Sequence, residues 1–167
     1  MEVTISPITP SYDEQVRQII QSVGEEFGAV GEGFGPGDAE VLNMSQHYTE
    51  DRKSLYLLAT LDNEVVGGCG IAPFSLDSAP DHEQSNLCEL KKLFLLPKAR
   101  GLGLGKQLTL ACLDYAQSHG YSRCYLDTLS SMQSAVSLYK SLGFEHLDAP
   151  LEGTIHSKCD VWMIKEL

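Results

Sequence analysis

A glycine-rich turn between two apolar segments constrains this chain more than any other feature of its sequence. The turn is residues 100–106, Arg-Gly-Leu-Gly-Leu-Gly-Lys. Residues 93–96 before it are all apolar, which is typical of a strand buried on both faces of a sheet. Apolar residues recur at helical spacing from Leu104 to Tyr115, and Gly120 ends that pattern. The sequence therefore predicts a buried strand, a glycine turn and a helix in direct succession.

A turn of this kind can bind a phosphate group. The first N–H groups of a helix have no intrahelical partner, the helix dipole adds partial positive charge, and glycines let a phosphate approach the backbone closely. Two familiar phosphate loops do not fit. A dinucleotide fingerprint starting at Gly101 requires glycine where Lys106 stands. A Walker A loop ending at Lys106 requires glycine where Arg100 stands and Ser or Thr where Gln107 stands.

The distribution of charge favours the same interpretation. The formal net charge is −11, which argues against a general nucleic-acid-binding protein because such proteins need a basic surface. Residues 91–106 nevertheless hold five basic residues and no acidic one. These cations are Lys91, Lys92, Lys98, Arg100 and Lys106. The sequence predicts a local anion site around the turn, with a solvated basic surface as the alternative.

The length and composition predict a single globular domain over residues 1–167. No stretch approaches the roughly 18 consecutive apolar residues that a membrane helix requires, and no secretory signal is visible, so we expect no membrane partner. The five cysteines are odd in number and widely spaced, which opposes a disulfide framework and a cysteine-rich metal site. We therefore expect a cytoplasmic protein without a bound metal.

Strands and helices mix along the chain without strict alternation, which predicts an α/β sheet that is partly antiparallel. Asp38 is expected to cap a short helix, and Ser130 or Ser131 is expected to cap a helix that ends at Gly143. A polar loop is predicted at 76–86. The predicted strands lie at 3–8, 54–61, 64–74, 87–96, 121–126, 144–147 and 159–164.

Two segments carry a resemblance to a known superfamily. Residues 93–108, with their Arg-x-x-Gly-x-Gly core beginning at Arg100, resemble the pyrophosphate loop of GNAT-type N-acetyltransferases. About thirty residues later, Ala135, Tyr139 and the Leu-Gly-Phe at 142–144 resemble the A-x-x-x-Y-x-x-x-G-F segment of the same superfamily. The specific resemblance covers residues 88–147, and the flanking regions agree only in the order of their elements.

The resemblance implies a GNAT-like domain, with a mixed, mostly antiparallel central sheet, splayed central strands and flanking helices. It also implies acetyl-CoA as co-substrate, with the pantetheine amides on the backbone of the central strand and the pyrophosphate on the turn. Many family members have Asn where Met132 stands, so one polar contact to the pantetheine arm is expected to be missing or supplied by another group. The residues implied to bind the cofactor are Leu93, Phe94, Leu95, Arg100, Gly101, Leu102, Gly103, Leu104, Gly105 and Lys106.

Acetyl transfer to an amine needs a base for the ammonium, a donor for the oxyanion and a proton for the leaving thiolate. The resemblance implies that Tyr139 supplies the last proton, with a core aromatic residue as the alternative. Glu89, on the central strand, is the first candidate for the base, and Asp127 and His156 remain alternatives. No motif marks a cysteine as nucleophile, so we expect direct attack of the amine in a ternary complex.

Acidic residues surround the glycine-rich segment at 28–37. The resemblance implies that this segment covers the acceptor cleft. An acidic wall there favours a cationic amine, either a small molecule or a peptide, with a solvated loop as the alternative. A non-catalytic acyl-CoA-binding sensor remains the alternative function. The sequence also leaves open whether the chain forms a homodimer. The acidic residues are Glu25, Glu26, Glu32, Asp38 and Glu40.

Overall fold

The structure, a computed structural model, describes residues 1–74 and 86–167. The predicted loop at 76–86 lies outside these residues except for Asn86. The strands of the described part are β1 Val3–Pro7, β2 Leu55–Leu61, β3 Glu64–Pro73, β4 Leu87–Leu95, β5 Arg123–Thr128, β6 Glu145–Leu147 and β7 Val161–Glu166. The α-helices are α1 Asp13–Glu26, α2 Met44–His47, α3 Leu104–Ser118 and α4 Gln133–Ser141. Among the described residues, no helix is long and apolar enough to cross a membrane.

The strands form one mixed sheet in the order β1-β2-β3-β4-β5-β7-β6. The pair β4 and β5 is parallel, and the other neighbouring pairs are antiparallel. The pairing of β4 with β5 runs from Leu87 opposite Arg123 to Glu89 opposite Tyr125. Beyond Glu89 the two strands continue without pairing, so a gap opens in the middle of the sheet. The predicted mixed sheet with splayed central strands is confirmed.

Helices cover both faces of the sheet because the strand side chains alternate between them. In β2, Leu57 and Ala59 pack into the apolar layer beneath α3, whereas Tyr56 and Leu58 pack into the layer beneath α1. Helix α1 closes its layer with a buried stripe at helical spacing. That stripe is Val16, Ile19, Ile20 and Val23.

A bulge interrupts β4 beside the gap. The register against β3 shifts between Gly68 and Gly70, and Lys92 takes a positive φ of 55°. The hydroxyl of Tyr56 donates to the carbonyl of Lys92 at 2.8 Å and so holds the bulge from β2, which lies on the far side of β3. A Cβ atom at Gly68 would lie 2.5 Å from the Tyr56 ring, so a side chain there would displace this tyrosine.

Two predicted helix caps are wrong. Asp38 lies at the start of the short 3₁₀ segment Ala39–Asn43, but its carboxylate makes no capping bond and binds Lys92 instead. Helix α4 has no side-chain cap, because Ser130 donates to Asp160 and Ser131 donates to a carbonyl of the α1 end. In each case, the short polar side chain binds a charged group or a free carbonyl that lies far away in the sequence.

Candidate active site

The glycine turn presents unpaired backbone N–H groups at the start of α3. Gly101 and Gly103 have φ values of 77° and 78°, a conformation that favours glycine. A Cβ atom at either position would meet no atom within 4 Å, so the space over the turn is open. Within residues 1–74 and 86–167, no N–H group from Gly101 to Lys106 donates to a backbone carbonyl. The turn therefore has the free donors that an anion site needs.

A cleft of about 530 Å³ lies over this turn. Its walls are the turn, the end of β4, the end of α1 and the beginning of α4. Eight of the ten predicted cofactor residues line it, and Phe94 and Leu102 do not. The Phe94 side chain is buried in the layer beneath α1, and Leu102 is 37% exposed. The lining residues from the predicted set are Leu93, Leu95, Arg100, Gly101, Gly103, Leu104, Gly105 and Lys106.

The cations of the predicted anion site are mostly engaged elsewhere. The guanidinium of Arg100 donates to both carboxylate oxygens of Glu26, at 2.6 and 2.9 Å, and to the carbonyl of Leu95 at 3.1 Å. Lys98 pairs with Glu64 at 2.6 Å. Among the residues that the structure describes, Lys106 is the one cation of the cluster that has no acidic partner. The site therefore depends on backbone donors more than on side-chain charge.

Lys91 and Lys92 do not belong to the turn, and the expectation that they do is wrong. Both ammonium groups bind Glu40, at 2.7 and 2.5 Å, and Lys92 also binds Asp38 at 2.8 Å. Consecutive residues of a regular strand point to opposite faces of the sheet. The bulge at Lys92 breaks this alternation and lets the two side chains reach the same carboxylate.

A second, smaller pocket of about 60 Å³ lies at the gap between β4 and β5. It shares Leu93 and Met132 with the larger cleft, so the two spaces meet at these side chains. Residues 28–40, which we call the strap, contribute Phe34, Gly35 and Pro36 to its wall. The predicted catalytic residue and all three candidate bases line it as well, namely Tyr139, Glu89, Asp127 and His156.

Tyr139 packs as a core aromatic residue and also lines the smaller pocket. Its ring packs edge-to-face against Phe144, with centroids 5.8 Å apart, and only 6% of the residue is exposed. Its hydroxyl makes no hydrogen bond within the described part of the chain, although it lines the smaller pocket. Burial raises the pKa of Tyr139 well above its ordinary value. The phenol is therefore neutral at physiological pH and can donate a proton.

Glu89 is the last residue of β4 that pairs with β5, and it is 8% exposed. Its carboxylate has no hydrogen bond among the described residues, and its nearest ionic neighbour is Nδ1 of His156 at 3.8 Å. Burial raises the pKa of Glu89 to about 7; Lys91 and His156 oppose this shift, and Asp127 adds to it. A carboxylate with a pKa near neutrality suits a general base.

Asp127 and His156 bind each other and are less suited to that role. Nδ1 of His156 lies 2.6 Å from Asp127, and Nε2 lies 2.7 Å from Asp38. Burial alone would lower the pKa of His156, but the hydrogen bonds to these two carboxylates raise it to about 10. A histidine that is already protonated cannot accept another proton, which argues against His156 as the base.

No sequence pattern predicts this ion-pair network, which reaches the strap. Burial alone would raise the pKa of Asp38 and of Glu40, but their cationic partners lower both to about 2. With Glu26 bound to Arg100, three acids of the predicted acidic wall are neutralised by neighbours. Glu25 and Glu32 remain exposed.

One cluster has the composition of a metal site. Glu89, Asp127 and His156 each bring one ligand atom within 4.8 Å of the others. Both ring nitrogens of His156 are hydrogen-bonded to carboxylates, however, which leaves the ring no lone pair for a metal ion. The hydrogen bonds account for the cluster, and the expectation that no metal takes part stays a prediction.

Comparison with known proteins agrees with this geometry. The family model described as the acetyltransferase (GNAT) family matches residues 17–144. The chain belongs to the GNAT family. It is 37% identical over 153 residues to the uncharacterized N-acetyltransferase YjgM of Escherichia coli, covering 91% of this chain and 87% of that one. Membership makes the chain an N-acetyltransferase.

Solved structures show that the GNAT fold extends over the chain. An acetyltransferase of the GNAT family from Staphylococcus aureus matches with a TM-score of 0.80 at 22% identity, covering 99% of each chain. The PaiA N-acetyltransferase from Thermoplasma acidophilum, solved in complex with coenzyme A, matches with a TM-score of 0.74 at 19% identity, covering 100% of each chain. At these identities the likeness concerns the fold alone.

Proposed function

We propose that this GNAT chain transfers the acetyl group of acetyl-CoA to a primary amine by direct attack in a ternary complex. The observation that carries the proposal is the junction of the two spaces at Leu93 and Met132. A coenzyme whose diphosphate lies on the turn at 101–106 can extend its pantetheine arm along β4 towards that junction. Its thioester then lies beside Glu89 and Tyr139.

The proposed reaction begins with the amine. An alkylammonium, with an ordinary pKa near ~10, has no lone pair at neutral pH, and the Glu89 carboxylate takes its proton. The free amine attacks the thioester carbonyl, and a backbone N–H of β4 beyond Glu89, where pairing with β5 ends, donates to the oxyanion. The carbon–sulfur bond then breaks, and the Tyr139 hydroxyl protonates the departing thiolate. The second proton that the nitrogen loses as the amide forms goes to the resulting tyrosinate, and the first proton leaves Glu89 for solvent.

The acceptor is proposed to be compact near its amine, because the pocket beside Glu89 holds only about 60 Å³. Of the predicted acidic wall, Glu25 and Glu32 are exposed and available to a cationic substituent, while the other acids already have cationic partners. The five free thiols suit a reducing compartment, and we keep the cytoplasm as the proposed location.

A panel of amines tests the proposed function. We expect release of free CoA from acetyl-CoA with at least one primary amine, and slower release with amines that are branched beside the nitrogen. Release is followed with a thiol reagent, and acetyl-CoA binding is measured separately by calorimetry. Binding without release for any amine would favour the acyl-CoA sensor. Faster reaction of anionic than of cationic amines at low salt would remove the acidic-wall argument.

Replacing Tyr139 with Phe is expected to lower kcat by about 10- to 100-fold. This loss lies at or below the low end of the range for general acid catalysis, because a thiolate is a good leaving group that can depart without full proton transfer. Acetyl-CoA affinity should not change, since the ring and its packing against Phe144 remain. Steady-state kinetics and calorimetry measure the two quantities. Tyr12→Phe, at an exposed position, is the matched control. Equal turnover of Tyr139→Phe and the wild type would remove Tyr139 from the mechanism.

A further inference from the structure

The ring of His156 carries a proton on each nitrogen. Nδ1 lies 2.6 Å from the Asp127 carboxylate and Nε2 lies 2.7 Å from the Asp38 carboxylate. Ionised carboxylates accept hydrogen bonds and cannot donate them, so both ring nitrogens must be donors. Only 6% of the His156 side chain is exposed, and the partner side chains are 1% and 11% exposed. A buried imidazolium therefore bridges two buried carboxylates.

The two carboxylates belong to separate parts of the fold. Asp127 lies in β5, at the edge of the gap, and it accepts hydrogen bonds from Thr154 and from the hydroxyl of Tyr125. Asp38 lies on the strap and also binds Lys92 of β4. The imidazolium thus joins the strap to the two strands whose separation forms the acceptor pocket.

The strap has two further links to the segment that carries His156. The N–H of Lys158 donates to the carbonyl of Gly33 at 3.1 Å, and the Lys158 ammonium lies 5.7 Å from the centre of the Phe34 ring. Both links involve Lys158, which is exposed to solvent, whereas the hydrogen bond between His156 and Asp38 is charged and shielded from solvent. His156 is therefore the strongest of these connections between the strap and residues 154–158.

We propose that His156 is a positioning residue, which holds the strap closed over the acceptor pocket and keeps Glu89 in an electrostatic setting that lets it work as a base. This inference rests on the proposed function for the role of Glu89. It does not make His156 a catalytic residue, because the ring touches the carboxylates and not the reacting atoms.

The charges around the ring give the proposal its pH dependence. The pKa of His156 is raised to about 10, so the ring stays positive throughout the range in which an amine acetyltransferase would be assayed. The positive ring lowers the pKa of Glu89, whereas the neighbouring Asp127 carboxylate raises it. Loss of the ring charge should therefore raise the pKa of Glu89 above 7. The groups that face this region are Asp38 of the strap, Glu89, Lys91 and Lys92 of β4, Asp127 of β5 and Cys159.

Two substitutions separate the two parts of the role. In His156→Gln, we expect the amine KM to rise at least 10-fold and the acidic limb of the kcat/KM profile to move up by about one pH unit. In Asp38→Asn, the strap loses its ion pairs with His156 and Lys92, but the imidazolium stays paired with Asp127. The strap keeps the ion pairs of Glu40 with Lys91 and Lys92. We therefore expect a raised amine KM with the acidic limb near its wild-type position. Acetyl-CoA affinity should remain within 3-fold of wild type in both variants, as roughly expected for sites without shared partners.

Hydrogen–deuterium exchange of peptides from residues 28–40 gives a readout that does not depend on activity. Both variants should speed exchange in the strap, and His146→Gln, at an exposed histidine, should not. Circular dichroism and acetyl-CoA binding show that each variant is folded. A His156→Gln protein with wild-type strap exchange and an unmoved acidic limb would overturn the proposal. If the wild type releases no CoA but the variants speed strap exchange, the closure stands and the proposed function fails.

Discussion

Replacing Glu89 with Gln is expected to lower kcat/KM for the amine by about 10²- to 10⁴-fold at pH 8, the range typical of general base catalysis. The amide has nearly the shape of the carboxylate but cannot take the ammonium proton. Glu89 has no hydrogen bond within the described residues, so the substitution breaks no hydrogen bond and removes only the ionic contact with His156 at 3.8 Å. Acetyl-CoA affinity should stay unchanged, because Glu89 lines the smaller pocket and not the cleft over the turn.

The pH profile makes this expectation specific. Burial raises the pKa of Glu89 to about 7, so the carboxyl group is protonated and inactive as a base below that pH and ionised above it. Wild-type kcat/KM should therefore rise with pH through an acidic limb near 7, and Glu89→Gln should lack this limb. Glu145→Gln, at an exposed glutamate, is the matched control. A Glu89→Gln protein that retained the limb would assign the proton transfer to another group.

Replacing Gly103 with Val is expected to weaken acetyl-CoA binding by more than about 100-fold, which corresponds to about 2.7 kcal/mol. The φ of 78° at this position disfavours a β-branched residue, so the turn must change its backbone conformation or remain strained. The new side chain would also occupy the open space over the free N–H groups. Both effects act where the diphosphate is proposed to lie, and calorimetry measures the loss.

The opposite end of the same helix supplies a matched control. Gly120 follows α3, has a φ of 87° and has no atom within 4 Å of an added Cβ. Gly120→Val therefore introduces similar backbone strain in a similarly open position, remote from the cleft. We expect it to lower the free energy of unfolding about as much as Gly103→Val does, but to leave acetyl-CoA affinity unchanged. Equal loss of affinity in both variants would show that strain in α3, and not the turn, controls binding.

The local patterns of the sequence predicted the strand, the glycine turn and the helix that the structure places in succession. The apolar residues 93–96, the glycines at 101 and 103 and the helical stripe that follows are contiguous, so backbone geometry alone brings them together. The positive φ values at the two glycines are the feature that their sequence positions indicate. The splayed strands were predicted from the resemblance to the GNAT superfamily.

The acceptor side could not be predicted in the same way. Asp38 and Lys92 are 54 positions apart, and Asp127 and His156 are 29 apart, so no sequence spacing indicates either ion pair. The bulge at Lys92 also has no sequence signal, because a lysine at positive φ is rare. Proximity in the sequence placed Lys91 and Lys92 in the predicted anion site, whereas their acidic partners, Asp38 and Glu40, are distant in the sequence.

Calorimetric titration of the wild-type protein with acetyl-CoA and with S-acetylpantetheine tests the central claim most directly, because the second compound lacks the diphosphate but keeps the thioester. If backbone N–H groups from Gly101 to Lys106 hold the diphosphate, acetyl-CoA should bind at one site per chain, and S-acetylpantetheine should bind at least about 100-fold more weakly. Equal affinities for the two compounds, or no heat of binding for acetyl-CoA, would contradict the account.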